Sequence, residues 1–232
     1  MNSPAMTKLP LKATKADVPA PSTAAITAEV GEVRQQMVSL LTLLMRLIDA
    51  KGPVVVHVTA AHAGEGVSTI ATELASVAAR SGWCKAALID ANRVQPGGQA
   101  GAVSAAPGRA FGADGELVLS WRQPPDAALA TGGLNWPGEF SPRVETTRAL
   151  YDWLRENYTL TIVDCPPLLA PLQPGLTAGL ADGVVFVLQA GVTQIGDVER
   201  SQEVLRREDG TVLGVVLNKC PPMPGYVTRL GS

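Results

Sequence analysis

The sequence predicts a three-layer α/β fold, a mostly parallel sheet with helices on both faces. Short apolar runs at residues 54–58, 86–90, 160–164, 183–188 and 212–218 alternate with stretches of helical period. Strands that alternate with helices argue for a parallel sheet covered on both sides. Two of these runs end on an acid, Asp90 and Asp164, and the first passes directly into a glycine-rich loop and a helix. Strand, glycine loop, helix, strand is the layout of a phosphate-binding βαβ unit.

At 232 residues the chain is long enough for one α/β domain with a large core plus tails. We expect a disordered tail over 1–23, a single domain over 24–220 and a flexible tail over 221–232. Residues 1–23 are rich in Ala, Pro, Thr and Lys and contain no secretory apolar segment. The formal net charge of −2 supplies no basic field for nucleic acid. The three cysteines, Cys84, Cys165 and Cys220, are scattered as reduced thiols would be, and the two histidines make a histidine metal site a poor expectation.

From 24 to 50, Val30, Val33, Met37, Leu40, Leu41, Leu44 and Ile48 recur at helical steps. The apolar part is too short to span a bilayer, so the helix packs on the domain or against a second subunit, until Gly52-Pro53 closes it. The strand at 54–58 then enters the loop Thr59-Ala60-Ala61-His62-Ala63-Gly64-Glu65-Gly66-Val67-Ser68-Thr69. Ile70, Leu74, Val77 and Ala78 mark the buried face of the following helix. In such a loop, backbone amides and the helix N-terminus favour an anion. Gly64 and Gly66 supply close backbone approach, and Ser68 stands where a hydroxyl reaches Mg²⁺.

The residue before that hydroxyl should be a lysine that neutralises the outer phosphates, and here it is Val67. Opposite charges about 4 Å apart interact with roughly 4 kcal/mol at an effective dielectric near 20. Its loss weakens nucleotide binding by up to about three powers of ten, less whatever screening and rearrangement recover.

Beyond the strand at 86–90, glycines break up 94–125, where only 116–121 resembles a strand among loops. Residues 124–143, with Gly132-Gly133 and Trp136-Pro137-Gly138, read as turns. A helix over 144–157 turns Leu150, Trp153 and Leu154 inward, and a further helix over 192–207 joins the last two strands. An acid at the C-terminal end of a parallel strand beside a phosphate loop, as Asp164 is placed, can hold Mg²⁺ through water. The plainer alternatives are that Ser68 or Thr69 caps the helix, Asp164 bonds neighbouring amides, and His62 and Arg93 are solvated.

Three stretches together, Gly64-Glu65-Gly66-Val67-Ser68-Thr69, Leu88-Ile89-Asp90-Ala91-Asn92-Arg93 and Ile162-Val163-Asp164-Cys165-Pro166-Pro167, resemble the nucleotide motifs of the bacterial tyrosine kinases. That family sits within the MinD/ParA-like deviant P-loop ATPases, so the resemblance implies a three-layer P-loop NTPase-like fold. Leu180-Ala181-Asp182-Gly183, the glycine and threonine of Ala190-Gly191-Val192-Thr193, and Leu213-Gly214-Val215-Val216-Leu217-Asn218 extend it over about 24–218. Carried over, Gly64, Glu65, Gly66, Val67, Ser68, Thr69 and Asn218 are the nucleotide-binding positions. Asp90 and Asp164 are the catalytic acids, and Ser68, Asp90 and Asp164 the Mg²⁺ positions.

Three departures weaken the chemistry. Val67 replaces the lysine, Asn92 replaces a second acid, and Tyr226 alone stands where family members carry a tyrosine cluster. Glu29, Glu32 and Arg34 only partly match the family's oligomerisation motif. The resemblance therefore implies a pseudokinase, with Asp90 and Asp164 vestigial. Its role would be to regulate or scaffold exopolysaccharide or cellulose export through a membrane co-polymerase or synthase partner, as an oligomer in the cytoplasm at the inner membrane. No bound cofactor is the favoured expectation, with weakened ATP/ADP and Mg²⁺ binding as its alternative. The other readings are a slow ATPase or tyrosine autokinase, with Lys51 or Lys85 replacing the missing lysine, and a MinD/ParA-like positioning ATPase.

Overall fold

A computed structural model describes residues 23–92, 108–112, 117–122, 128–135, 143–170 and 178–220, with side chains from 37 onward in the first helix. The expected tails, apart from Thr23, which begins the first helix, lie outside the described residues, as do Arg93, Trp136 and Tyr226 and the side chains of Glu29, Val30, Glu32, Val33 and Arg34.

The elements follow in the order α1 (Thr23–Lys51), β1 (Val54–Ala60), α2 (Val67–Ser81), β2 (Ala86–Asp90), β3 (Gly108–Phe111), β4 (Leu117–Arg122) and β5 (Leu129–Asn135). Then come α3 (Val144–Asn157), β6 (Leu160–Asp164), β7 (Gly183–Gln189), α4 (Ile195–Arg207) and β8 (Val212–Asn218). Eight strands form one sheet in the order β3-β4-β5-β2-β6-β1-β7-β8. The six strands from β5 to β8 run parallel, and β3 and β4 complete the β5 edge in antiparallel pairing.

Alternation along β1 assigns the two faces. Val54, Val56 and Val58 pack with Leu41 and Leu44 of α1 and with Ile70, Leu74 and Ala78 of α2. Val55 packs instead with Leu150, Tyr151 and Leu154 of α3. The first helix thus buries Met37, Leu41 and Leu44 against α2 and the sheet, which meets the core-packing expectation. Leu205 of α4 joins Val184 and Ala178 in a smaller cluster. His57, on the α3 face of β1, is buried, and its Nε2 lies 2.5 Å from the Tyr151 hydroxyl. Burial pushes its pKa down from 6.5 to about 4, because a charged imidazole there would lose its water.

Two stretches expected as loops and turns are strands. Within 94–125, β3 pairs with β4, so the single strand expected there has a partner. Phe111 of β3 and Trp121 of β4 reach Trp153 of α3, with the two indoles stacked 4.5 Å apart. Gly132-Gly133 is not a turn but the middle of β5, where a Cβ on Gly132 would meet Leu119, Ser120 and Ile89 at 3.1–3.2 Å. Glycine is used there for close approach of neighbouring chains. The last helix begins at Ile195 rather than 192, because the Gln194 side chain and Asp197 form a capping box.

Candidate functional site

Parallel strands present their C-terminal ends to one edge of the sheet, and the loop after β1 lies there between β6 and β7. Gly64 and Gly66 take φ of +86° and +102°, left-handed values that favour glycine. Gly66 is the N-cap of α2 and supplies no side-chain cap, so Val67 begins the helix. A Cβ on Gly66 would stand 2.0 Å from the Asn218 amide nitrogen. At Gly66 the Asn218 side chain thus leaves room for glycine alone, and the left-handed backbone favours it as well.

The loop is held by its own chain from three directions. Glu65 is buried, and its carboxylate accepts the Ala61 and His62 amide N–H groups at 2.9 and 3.1 Å and the Thr193 hydroxyl. Thr193 also accepts the Gln189 N–H at 2.8 Å, which ties the loop to the end of β7. From β8, the Asn218 side-chain amide donates to the Glu65 carbonyl at 2.9 Å. The adjacent Lys219 ammonium donates to the Gly64 carbonyl at 2.7 Å. His62 is not a solitary loop histidine: its Nε2 lies 3.3 Å from Asp197 at the start of α4, which also pairs with Arg200.

The acids stand where the strands place them. Asp90 and Asp164 are direct neighbours across β2 and β6. Burial raises the Asp164 pKa first, and the Asp90 charge adds to it, against hydrogen bonds from Ser68 and Asn92 that lower it. Its Oδ1 is buried with no protein hydrogen-bond partner. A buried carboxylate oxygen left open is costly unless an ion or water meets it. Ser68, exposed in the first turn of α2, has its hydroxyl on the Asp164 side, where it favours the ionised carboxylate. Asn92, the replacement for a second acid, donates its amide to the Asp164 carbonyl at 3.1 Å, and its backbone N–H bonds Asp90 at 2.9 Å.

This donor set fits Mg²⁺ held with a nucleotide. Two carboxylates and a hydroxyl are the hard oxygen ligands the ion takes, the remaining positions falling to phosphate and water. No group of three or more His, Cys, Asp or Glu side chains among the described residues makes a metal cage of protein alone. The mismatch is Val67, whose side chain packs against the core formed by α1, α2 and β1. Lys51 and Lys85 do not replace it. They precede the N-terminal ends of β1 and β2, and Lys85 lies over the Tyr158 ring, at the edge of the sheet opposite the loop.

No family model matches the chain. It is 28% identical over 179 residues to the tyrosine-protein kinase CpsD of Streptococcus agalactiae, covering 71% of this chain and 75% of that protein. Over 85 residues it is 32% identical to a putative tyrosine-protein kinase, EpsB of Ralstonia solanacearum, covering 35% of this chain and 11% of that protein. The chain is a relative of the bacterial tyrosine kinases. The solved kinase domain of VpsO shares its fold, with a TM-score of 0.60 at 20% identity over 86% of this chain and all of that one. The expected fold is thus the fold found, a mostly parallel P-loop NTPase-like sheet between helices.

Sequence reasoning for this kinase relative brought Gly64, Glu65, Gly66, Ser68, Asp90, Asp164 and Asn218 to one edge, and the structure gathers them there. Thr69 is exposed on the first turn of α2. Sequence reasoning gave no role to Lys219. Its position directly after Asn218, in a chain lacking the loop lysine, was the available signal.

Proposed function

We propose that this kinase relative is a pseudokinase that regulates or scaffolds polysaccharide export by contact with a membrane partner. The observation that carries the proposal is Val67. At the first position of α2, where phosphoryl transfer needs a cation against the outer phosphates, it places a partly buried apolar side chain against the core. Transfer of a phosphoryl group depends on positioning and charge neutralisation, so a loop that keeps its shape without that charge keeps little of the chemistry.

The rest of the site supports a structural role. Glu65, Thr193, Asn218 and Lys219 hold the loop from within the chain. Asp90, Asp164 and Ser68 would hold Mg²⁺ if a nucleotide bound, and Asn218 would lie near the base. A bound nucleotide then acts as a ligand that sets the shape of this edge, not as a substrate. No helix among the described residues is long and apolar enough to cross a membrane.

The test is transfer of the terminal phosphoryl group of ATP, with Mg²⁺, to the chain itself or to water. The proposal predicts no transfer above a control in which Asp164 is replaced by Asn. Transfer that depends on Asp164 would show an active kinase or ATPase instead.

A further inference from the structure

We propose that Lys219 supplies the positive charge missing at position 67, so that the loop still binds the phosphates of a nucleoside di- or triphosphate. The inference rests on the reading of this loop as a phosphate cradle and adds the residue that keeps it one.

The Lys219 ammonium lies 2.7 Å from the Gly64 carbonyl and 3.1 Å from the Gln189 side-chain oxygen. Both acceptors are neutral, and among the described residues Lys219 forms no ion pair. A full positive charge therefore sits against the loop three residues before Val67. The nearest loop carboxylate, Glu65, is engaged by Ala61, His62 and Thr193.

The backbone aims this side chain. Lys219 has φ of +54°, a left-handed value uncommon for a residue with a side chain. Its N–H donates to the Asn218 side-chain oxygen at 2.8 Å, while the Asn218 amide donates to Glu65. Consecutive residues at the end of β8 thus grip consecutive loop carbonyls. Lys219 is exposed, so its flexible stem can exchange a neutral acceptor for a phosphate oxygen, which makes a stronger, charge-assisted bond. The open Asp164 Oδ1, buried beside Ser68, is an independent sign of a ligand that brings a cation to this edge.

A staple that only fastened the loop would show the same two contacts, so the test separates charge from fastening. The full chain is titrated calorimetrically with Mg-ADP and Mg-ATP at low salt, beside Lys219→Gln and Lys219→Arg, and each protein is melted without ligand. Gln keeps a donor without charge, and Arg keeps the charge. We expect measurable native binding, a loss of about tenfold or more in Lys219→Gln, and affinity within about threefold in Lys219→Arg. Native-like affinity in Lys219→Gln, or no native binding at millimolar nucleotide, overturns the assignment.

A second comparison holds even where Lys219→Gln melts early. Adding Val67→Lys should raise affinity by a larger factor in the Lys219→Gln background than in the native one, because the two cations serve one ligand. Equal factors in both backgrounds would overturn the assignment. Phosphoryl transfer by the native chain would refute the pseudokinase reading and leave the role of Lys219 to be decided by these affinities.

Discussion

Replacing Gly66 by Ala puts two separate strains on the loop, and they can be measured apart. The backbone there has φ of +102°, which for a residue with a side chain costs about 1–3 kcal/mol. The new Cβ would also stand 2.0 Å from the Asn218 amide nitrogen, so Asn218 must move and give up its 2.9 Å bond to the Glu65 carbonyl. That bond contributes about 1 kcal/mol. Gly66→Ala should therefore cost about 2–4 kcal/mol, a large part of the 5–15 kcal/mol typical of a domain. Asn218→Ala alone should cost about 1 kcal/mol. In the double variant there is no amide left to displace, so its cost should match that of Gly66→Ala alone, a coupling of about 1 kcal/mol. Urea unfolding of the three variants, with unchanged m, measures this cycle. Costs that simply add, to within about 0.5 kcal/mol, would show that Asn218 does not press on the loop and would refute the account of its shape.

Two further perturbations follow from the core. Arg155 donates from Nε and Nη2 to Asp182 at 3.1 and 2.9 Å and from Nη2 to the Leu180 carbonyl, while Asp182 also accepts the Val55 N–H at 2.8 Å. Arg155→Ala removes charge-assisted bonds at a half-buried pair and should lower stability by about 2 kcal/mol, seen as a shift in the urea midpoint. The buried His57 gives a pH dependence of known sign. Its folded pKa of about 4 lies below the unfolded 6.5, so the unfolded chain takes the proton first and stability falls as pH drops from 6.5 towards 4. At about 1.4 kcal/mol per unit this approaches 3 kcal/mol at pH 4. His57→Gln, which has no proton to take up, should lack that part of the acid loss when unfolding is compared at pH 7 and pH 4.

Where local pattern and tertiary demand coincide, the chain is legible from sequence. The apolar run of β6 and the amphipathic period of α3 mark their elements to the residue, because each buries its apolar side chains whatever surrounds it. β8 is as legible from its apolar run, although none of its residues is fully buried. β5 is the opposite case. Its Leu-Ala-Thr-Gly-Gly-Leu-Asn carries a turn signal, and only the close approach of Leu119 and Ile89 explains why Gly132 belongs in a strand. At the site, the motifs gave the positions of Gly66, Ser68, Asp90, Asp164 and Asn218. They did not give what holds the loop together. The reach of Thr193 to Glu65 spans 128 positions and that of Lys219 to Gly64 spans 155, and the latter depends on one left-handed backbone angle. No local periodicity encodes such contacts.

The central claim is that position 67 limits this loop. The direct measurement is a calorimetric titration of the native chain and Val67→Lys with Mg-ATP, the variant's fold checked by its melting temperature. A lysine returned to the first turn of α2 should tighten binding by between about ten and a thousand fold, the range that roughly 4 kcal/mol allows after screening. Equal affinities in two well-folded proteins would show that the charge lost at Val67 does not limit the loop, and the account of this site would fall with it.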